Sequence, residues 1–226
     1  MRKVFQAELH QVGDELIQIA TLVRTAVEKA ATAFENADVE LAEDVIAADA
    51  RIDFLQTELD ERAIDILARQ GPVASDLRMI VGALRMSTSL ERMGDLARHI
   101  AQLARLRYPQ QVMAESLVGT FQEMARLDAD IAGAVVELLD TRDLTHASRI
   151  QKLKVRINEL HRSVFDAVAE PGWQESPART ADVVLASRYF ERFADHGVSV
   201  SRKVTYLVTG EWDPDALDSR VGAEDA

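Results

Sequence analysis

Apolar residues return every three or four positions along this chain, almost without interruption. Phe5, Leu9, Val12, Leu16, Ile19, Val23, Ala26, Ala30 and Phe34 form a 4-3-4-3 stripe, the spacing of one helix face. Asn36-Ala37-Asp38 breaks it, and Asp38 is placed to cap the next helix. That helix carries Val45, Ala48, Ile52, Leu55, Leu59, Ala63 and Ile66 until Gly71-Pro72 ends it, because proline cannot continue a helix interior. A third helix is predicted from a cap near Ser75, with Leu90, Met93, Ala97, Ile100 and Ala104 as its stripe. Tyr108-Pro109 closes it.

The same plan is then written again. Leu117, Phe121, Met124, Asp128, Ile131, Val135 and Leu138 mark a fourth helix, and Asp143 follows it as Asp38 follows the first. Ile150, Leu153, Ile157, Leu160 and Val164 align with Val45, Ala48, Ile52, Leu55 and Leu59. After a break at Pro171-Gly172 and Pro177, Phe190, Phe193, Gly197, Val200 and Val204 match the 90-93-97-100-104 stripe. Within it Glu91-Arg92-Met93-Gly94-Asp95 recurs as Glu191-Arg192-Phe193-Ala194-Asp195. The five prolines all fall at predicted boundaries or in the tail.

These signals agree on an all-α fold of six helices, roughly 28–34 residues and about 40–50 Å each. Long helices joined by short turns pack as up-down bundles. The expected organisation is two tandem three-helix bundles, residues 1–108 and 109–210, then an acidic, aperiodic tail over 211–226. Hydrophobic residues make up 47% and aromatics 5%, which predicts a large, aliphatic core. The absence of cysteine excludes disulfides, thiolate metal sites and cysteine nucleophiles. A net charge of −12 repels phosphate backbones and argues against nucleic-acid binding. No apolar run reaches a membrane-span length, and the chain opens charged and amphipathic, so a cytoplasmic protein is expected.

Residues four apart share a helix face, so Glu91 and Asp95 stand together, as do Glu191 and Asp195. Wheel arithmetic puts Glu91 and Asp95 roughly 120–160° from the apolar stripe, on an outward face. Paired carboxylates repel unless a cation lies between them, and hard ions prefer oxygen ligands. Asp49 and Asp53 on the second helix supply a further i, i+4 pair, so that Asp49, Asp53, Glu91 and Asp95 are predicted as a four-carboxylate cluster. Two readings stand: a bound cation, or ion pairs with Arg92 and Arg192. His99 is a possible added ligand, and His196 a weaker one. In the second repeat Asp49 and Asp53 become Lys154 and Asn158, so Glu191 and Asp195 face a built-in cation and bind metal weakly if at all. No phosphate-binding glycine loop, HExxH or GxSxG string occurs, and the chain is read as a non-enzyme.

Pro72-Val73-Ala74-Ser75-Asp76-Leu77-Arg78, the two Glu-Arg-x-x-Asp strings and the tandem plan resemble the PhoU family over essentially residues 1–210. The resemblance implies non-enzymatic negative regulators of phosphate uptake and the phosphate-starvation response. Such proteins link a phosphate transporter, through its ATPase subunit, to a sensor histidine kinase, and often form homodimers, without inserting into the membrane. It also implies surface metal clusters (Fe, Mn, Mg or Zn) on E(D)xxxD motifs. By position these would use Asp49, Asp53, Glu91 and Asp95 in the first repeat and only Glu191 and Asp195 in the second. A metal-storage or metal-dependent hydrolytic protein, and a metal-free helical adaptor, are the alternative readings.

Overall fold

The computed structural model describes residues 2–211, with side chains from residue 5, so the predicted acidic tail lies almost wholly outside the described residues. Six helices run through them: α1 Arg2–Asn36, α2 Val39–Gln70, α3 Ala74–Arg107, α4 Val118–Thr141, α5 Leu144–Ala169 and α6 Pro177–Thr209. A single 3-10 turn, Glu115–Leu117, precedes α4. No strand occurs among the described residues.

The turns between helices repeat with the helices. Ala37 and Arg142 both adopt left-handed backbone, at φ 51° and 58°. Each is followed by an aspartate cap: Asp38 accepts from the Leu41 N–H at 3.0 Å and Asp143 from the Thr145 N–H at 2.9 Å. Ser176 caps α6 through the Arg179 N–H, with Pro177 at the first helical position, where its missing N–H costs nothing. Ser75 is not a cap. Val73 occupies that position without a side-chain bond, and Ser75 already lies inside α3. Helices α4 and α5 are shorter than expected, at 24 and 26 residues. The segment after Pro109 runs irregularly before α4 begins, and Glu170 is extended, as the residue before a proline prefers.

Helices α1, α3, α4 and α6 form the centre of the molecule. Helix α1 packs on α2, α3 and α4, and α6 packs on α3, α4 and α5, while α2 and α5 flank the outside. The two repeats therefore share one continuous core. That core is mostly aliphatic but not at its middle. Phe34, Phe121 and Phe190 meet there, with ring centroids 5.4–6.2 Å apart, so three of the few aromatics join α1, α4 and α6. Gly197 lets α4 approach α6: a Cβ there would lie 2.6 Å from Ile131 Cγ2. Arg107 at the end of α3 forms a two-pronged ion pair with Asp182 near the start of α6.

Candidate functional site

The two Glu-Arg-x-x-Asp strings occupy equivalent grooves, the first between α3 and α2 and the second between α6 and α5. The outward placement expected for Glu91 and Asp95 does not hold, while Asp195 of the second string is exposed. Glu91 and Asp95 are half-buried, with side chains 21% and 16% exposed, and Glu191 is buried outright. The reason is packing. Helices α3 and α6 each touch three other helices, so more of their circumference is covered than one stripe accounts for. A related shift occurs on α2, where Asp49 is buried and Ala48 exposed, the reverse of the expected stripe.

In the first groove the four predicted carboxylates lie near enough for their charges to act on one another, without converging as a ligand set. Arg98 bridges Asp49 on α2 and Asp95 on α3. Arg92 holds the other Asp95 oxygen at 2.8 Å and approaches Glu91 at 3.5 Å. Asp53 stands exposed at the rim, close enough for its charge to act on Asp49 and Glu91. Burial pushes the Asp49 carboxyl above its ordinary range despite Arg98. Glu91 is pushed up as well, by burial and then by the Asp95 charge. Asp95 behaves oppositely: burial acts to raise it, but Arg98 and Arg92 together outweigh burial and hold it below the usual value.

The second groove is built with the cation on the other helix. Lys154 of α5 donates to the Glu191 carbonyl at 3.0 Å, to Glu191 Oε1 at 2.8 Å and to Asp195 Oδ1 at 2.8 Å. All three ammonium donors are thus used. Arg188 holds the other Glu191 oxygen. Valine stands at 198, where the first repeat has Arg98, and Asn158 is exposed at the rim. Behind Lys154 lies Asp128 of α4, wholly buried, with neither carboxylate oxygen hydrogen-bonded among the described residues. Burial raises its carboxyl well above the ordinary range, though the Lys154 charge opposes this. The corresponding residue of the first repeat is Val23, also buried.

These arrangements bear differently on a metal. The first groove has the donor set a hard cation takes, four carboxylates on two helices, but Arg98 and Arg92 hold it as folded. The second does not fit, because the Lys154 ammonium lies between its two acids. Among the described residues no three acidic or histidine side chains converge as a ligand set. His99 turns away from the expected role and packs its ring on Tyr189, centroids 5.1 Å apart. His196 is half-buried, and burial lowers its pKa. Sequence reasoning did not find Arg98, Arg188 or the isolation of Asp128. The signal for the arginines was present: each lies three residues from the carboxylate it holds, one turn along the same face.

The PhoU domain model matches residues 16–104 and again 121–204, the two repeats seen in the fold. The phosphate-specific transport system accessory protein PhoU homolog 1 of Mycobacterium leprae is 37% identical over 95% of this chain and 97% of its own. A PhoU homolog of Pseudomonas putida is 31% identical over 91% of this chain and 81% of its own. The crystal structure of the phosphate transport system regulatory protein PhoU from Streptococcus pneumoniae superposes with a TM-score of 0.82. It is 26% identical and covers 92% of this chain and 99% of its own. PhoU from Pseudomonas aeruginosa gives 0.81 at 26% identity, with 92% and 100% covered.

Proposed function

The chain belongs to the PhoU family, and from that premise we propose that it is a regulatory accessory protein of phosphate transport. The observation that carries this is the extent of the likeness: both repeats match, and the similarity to phosphate-transport accessory proteins runs over 95% of the chain. The role is coupling rather than catalysis. It acts in the cytoplasm, as a homodimer, between a phosphate transporter's ATPase subunit and a sensor histidine kinase, and represses the starvation response while phosphate is plentiful. No helix among the described residues is long and apolar enough to cross a membrane, which is compatible with action on the cytoplasmic face. The net charge of −12 favours encounter with basic patches, faster at low salt. A coupling protein must bind its partners differently in two states, or it cannot shift their equilibrium.

Deleting the gene tests this reading. Starvation-gene reporters should stay on in phosphate-rich medium, and Glu91→Ala with Asp95→Ala should release them in part. Repression that persists in the deletion strain, with no second copy of the gene present, would refute the assignment.

The metal belongs to the same proposal, confined to the first groove. A hard cation would displace Arg98 and be held by Asp49, Asp53, Glu91 and Asp95. Elemental analysis of purified protein should then find metal that Asp95→Asn removes and Asp195→Asn does not. Equal loss from both variants, or no metal in the wild type, would leave the ion-paired adaptor as the correct description.

A further inference from the structure

Helices α3 and α6 run antiparallel, with Arg107 paired to Asp182 at one end and Arg78 beside Tyr206 at the other. At that second end they wall an open groove of about 360 Å³, lined by Leu77, Val81 and Gly82 of α3 and edged by Arg85 and Lys203. Arg78 covers the Tyr206 ring, 6.0 Å from its centre, so the apolar surface left open belongs to α3. Leu77 and Val81 supply it, one turn apart on one face and 40% and 37% exposed.

Two cations edge this surface without a counter-charge. The Arg85 guanidinium has no ion pair among the described residues. The Lys203 ammonium donates only to neutral acceptors, Ser199 O at 3.0 Å and Ser199 Oγ at 2.6 Å. Burial, then Arg85 and Arg202, lower the Lys203 pKa, and a carboxylate set beside it acts the other way. The groove therefore suits a segment with one large apolar side chain and acids close behind it. A second copy of the same face, placed across a twofold axis, would set Arg85 and Lys203 against their own counterparts, which disfavours pairing of the face with itself.

A segment of that chemistry follows α6 directly. Gly210 closes the helix with left-handed backbone at φ 75°, and a Cβ on it would lie 3.7 Å from Arg78 Nη1. The chain thus leaves α6 at the mouth of the groove. Its sequence continues Glu211-Trp212-Asp213-Pro214-Asp215. Arg85 lies about 10 Å along α3 from Arg78, at 1.5 Å rise per residue. An extended chain advances about 3.3 Å per residue, so Asp213 and Asp215 span on the order of 10–17 Å from Gly210 and reach both cations. Attachment also holds the segment at an effective concentration of about millimolar, so weak contacts suffice.

We propose that this groove is the docking site of the chain's own segment Trp212–Asp215, with the Trp212 ring on Leu77 and Val81 and the Asp213 and Asp215 carboxylates on Arg85 and Lys203. Docked in this way, the segment keeps the α3 face from other apolar partners until it is displaced. The inference does not rest on the regulatory role or on the carboxylate grooves. The chain has two tryptophans, so Trp173→Phe in the full chain leaves Trp212 as the one indole reporter, and acrylamide quenching of its fluorescence provides the test. Trp212 should be quenched less than in the chain unfolded in urea. Leu77→Ser should weaken docking about tenfold. Asp213→Asn with Asp215→Asn should weaken it about two- to tenfold. Each raises the quenching toward the unfolded value, while Lys29→Ser on α1 changes nothing. Leu77 is exposed and the two aspartates lie beyond α6, so melting temperatures should not move. Trp212 quenched as fully as in urea, or protected equally in the Leu77 and the double-aspartate variants, would overturn the proposal. Protection lost on dilution of the protein would move the contact to a second copy and overturn docking within one chain.

Discussion

Replacing Asp128 by valine should make the protein more stable, and the gain should grow with pH. Asp128 is wholly buried on α4, and both of its oxygens lack hydrogen-bond partners among the described residues. A buried polar group left unsatisfied costs about 1–3 kcal/mol. Valine is the residue the first repeat carries at the equivalent position, Val23, where it is 1% exposed. The substitution removes the penalty and adds apolar burial worth about 0.8 kcal/mol per methylene-sized group. A net gain of about 2 kcal/mol follows, or roughly 4–8 °C in melting temperature at this chain length. The pH dependence has a definite sign. The folded-state pKa of Asp128 lies well above that of a free aspartate, chiefly through burial. Its carboxyl therefore favours the folded state fully only below the unfolded pKa, about 3.9. That contribution is lost as pH rises toward the folded pKa, since the unfolded chain ionises first. Thermal unfolding followed by circular dichroism at pH 5.5, 6.5 and 7.5 measures both effects. A variant less stable than wild type at pH 7.5, or a gain that shrinks as pH rises, would refute the reasoning.

Lys154→Met should be strongly destabilising, by about 3–5 kcal/mol, because it leaves buried Glu191 without its ammonium partner; adding Glu191→Gln should restore much of the loss, and a double-mutant cycle in urea measures the coupling. Gly197→Ala should destabilise by about 1–2 kcal/mol, since overpacking against the fully buried Ile131 methyl, 2.6 Å from the new Cβ, exceeds the helix-propensity gain. Gly94→Ala should destabilise less than Gly197→Ala in the same urea titration, because its nearest contacts, Ile52 Cδ1 at 3.0 Å and Cγ2 at 3.3 Å, need give only a few tenths of an ångström.

The helices, their order and their duplication were legible because the signals are local. An aspartate after a polar break caps whatever follows, and Asp38 and Asp143 do so, through the N–H three residues on and two residues on respectively. Side-chain burial was legible only where one face of a helix is covered. Helix α2 packs chiefly on α1 and α3, and its stripe was read correctly except at Ala48 and Asp49. Helices α3 and α6 have three neighbours each, and on α3 the single-stripe reading put Glu91 and Asp95 outside when both are half-buried. Spacing brought Asp49, Asp53, Glu91 and Asp95 to one groove, and it showed the conflict at Lys154. Arg98 was missed because a charge pattern fixes which groups can meet, not which of several arginines reaches across a groove. The sequence placed Asp128 on the apolar stripe, but nothing along the chain showed that it would lack a partner.

The two grooves also constrain how this chain was made. In one the neutralising charge comes from the helix bearing the Glu-Arg-x-x-Asp string, as Arg98. In the other it comes from the neighbouring helix, as Lys154, with valine where the arginine would stand. Whichever form is ancestral, one route between them leaves an intermediate whose sequestered acids keep a single cation, Arg92 or Arg188, a less stable state that selection for folding disfavours. The viable route gains the second cation before losing the first. Descendants of the common ancestor should therefore include copies that carry both.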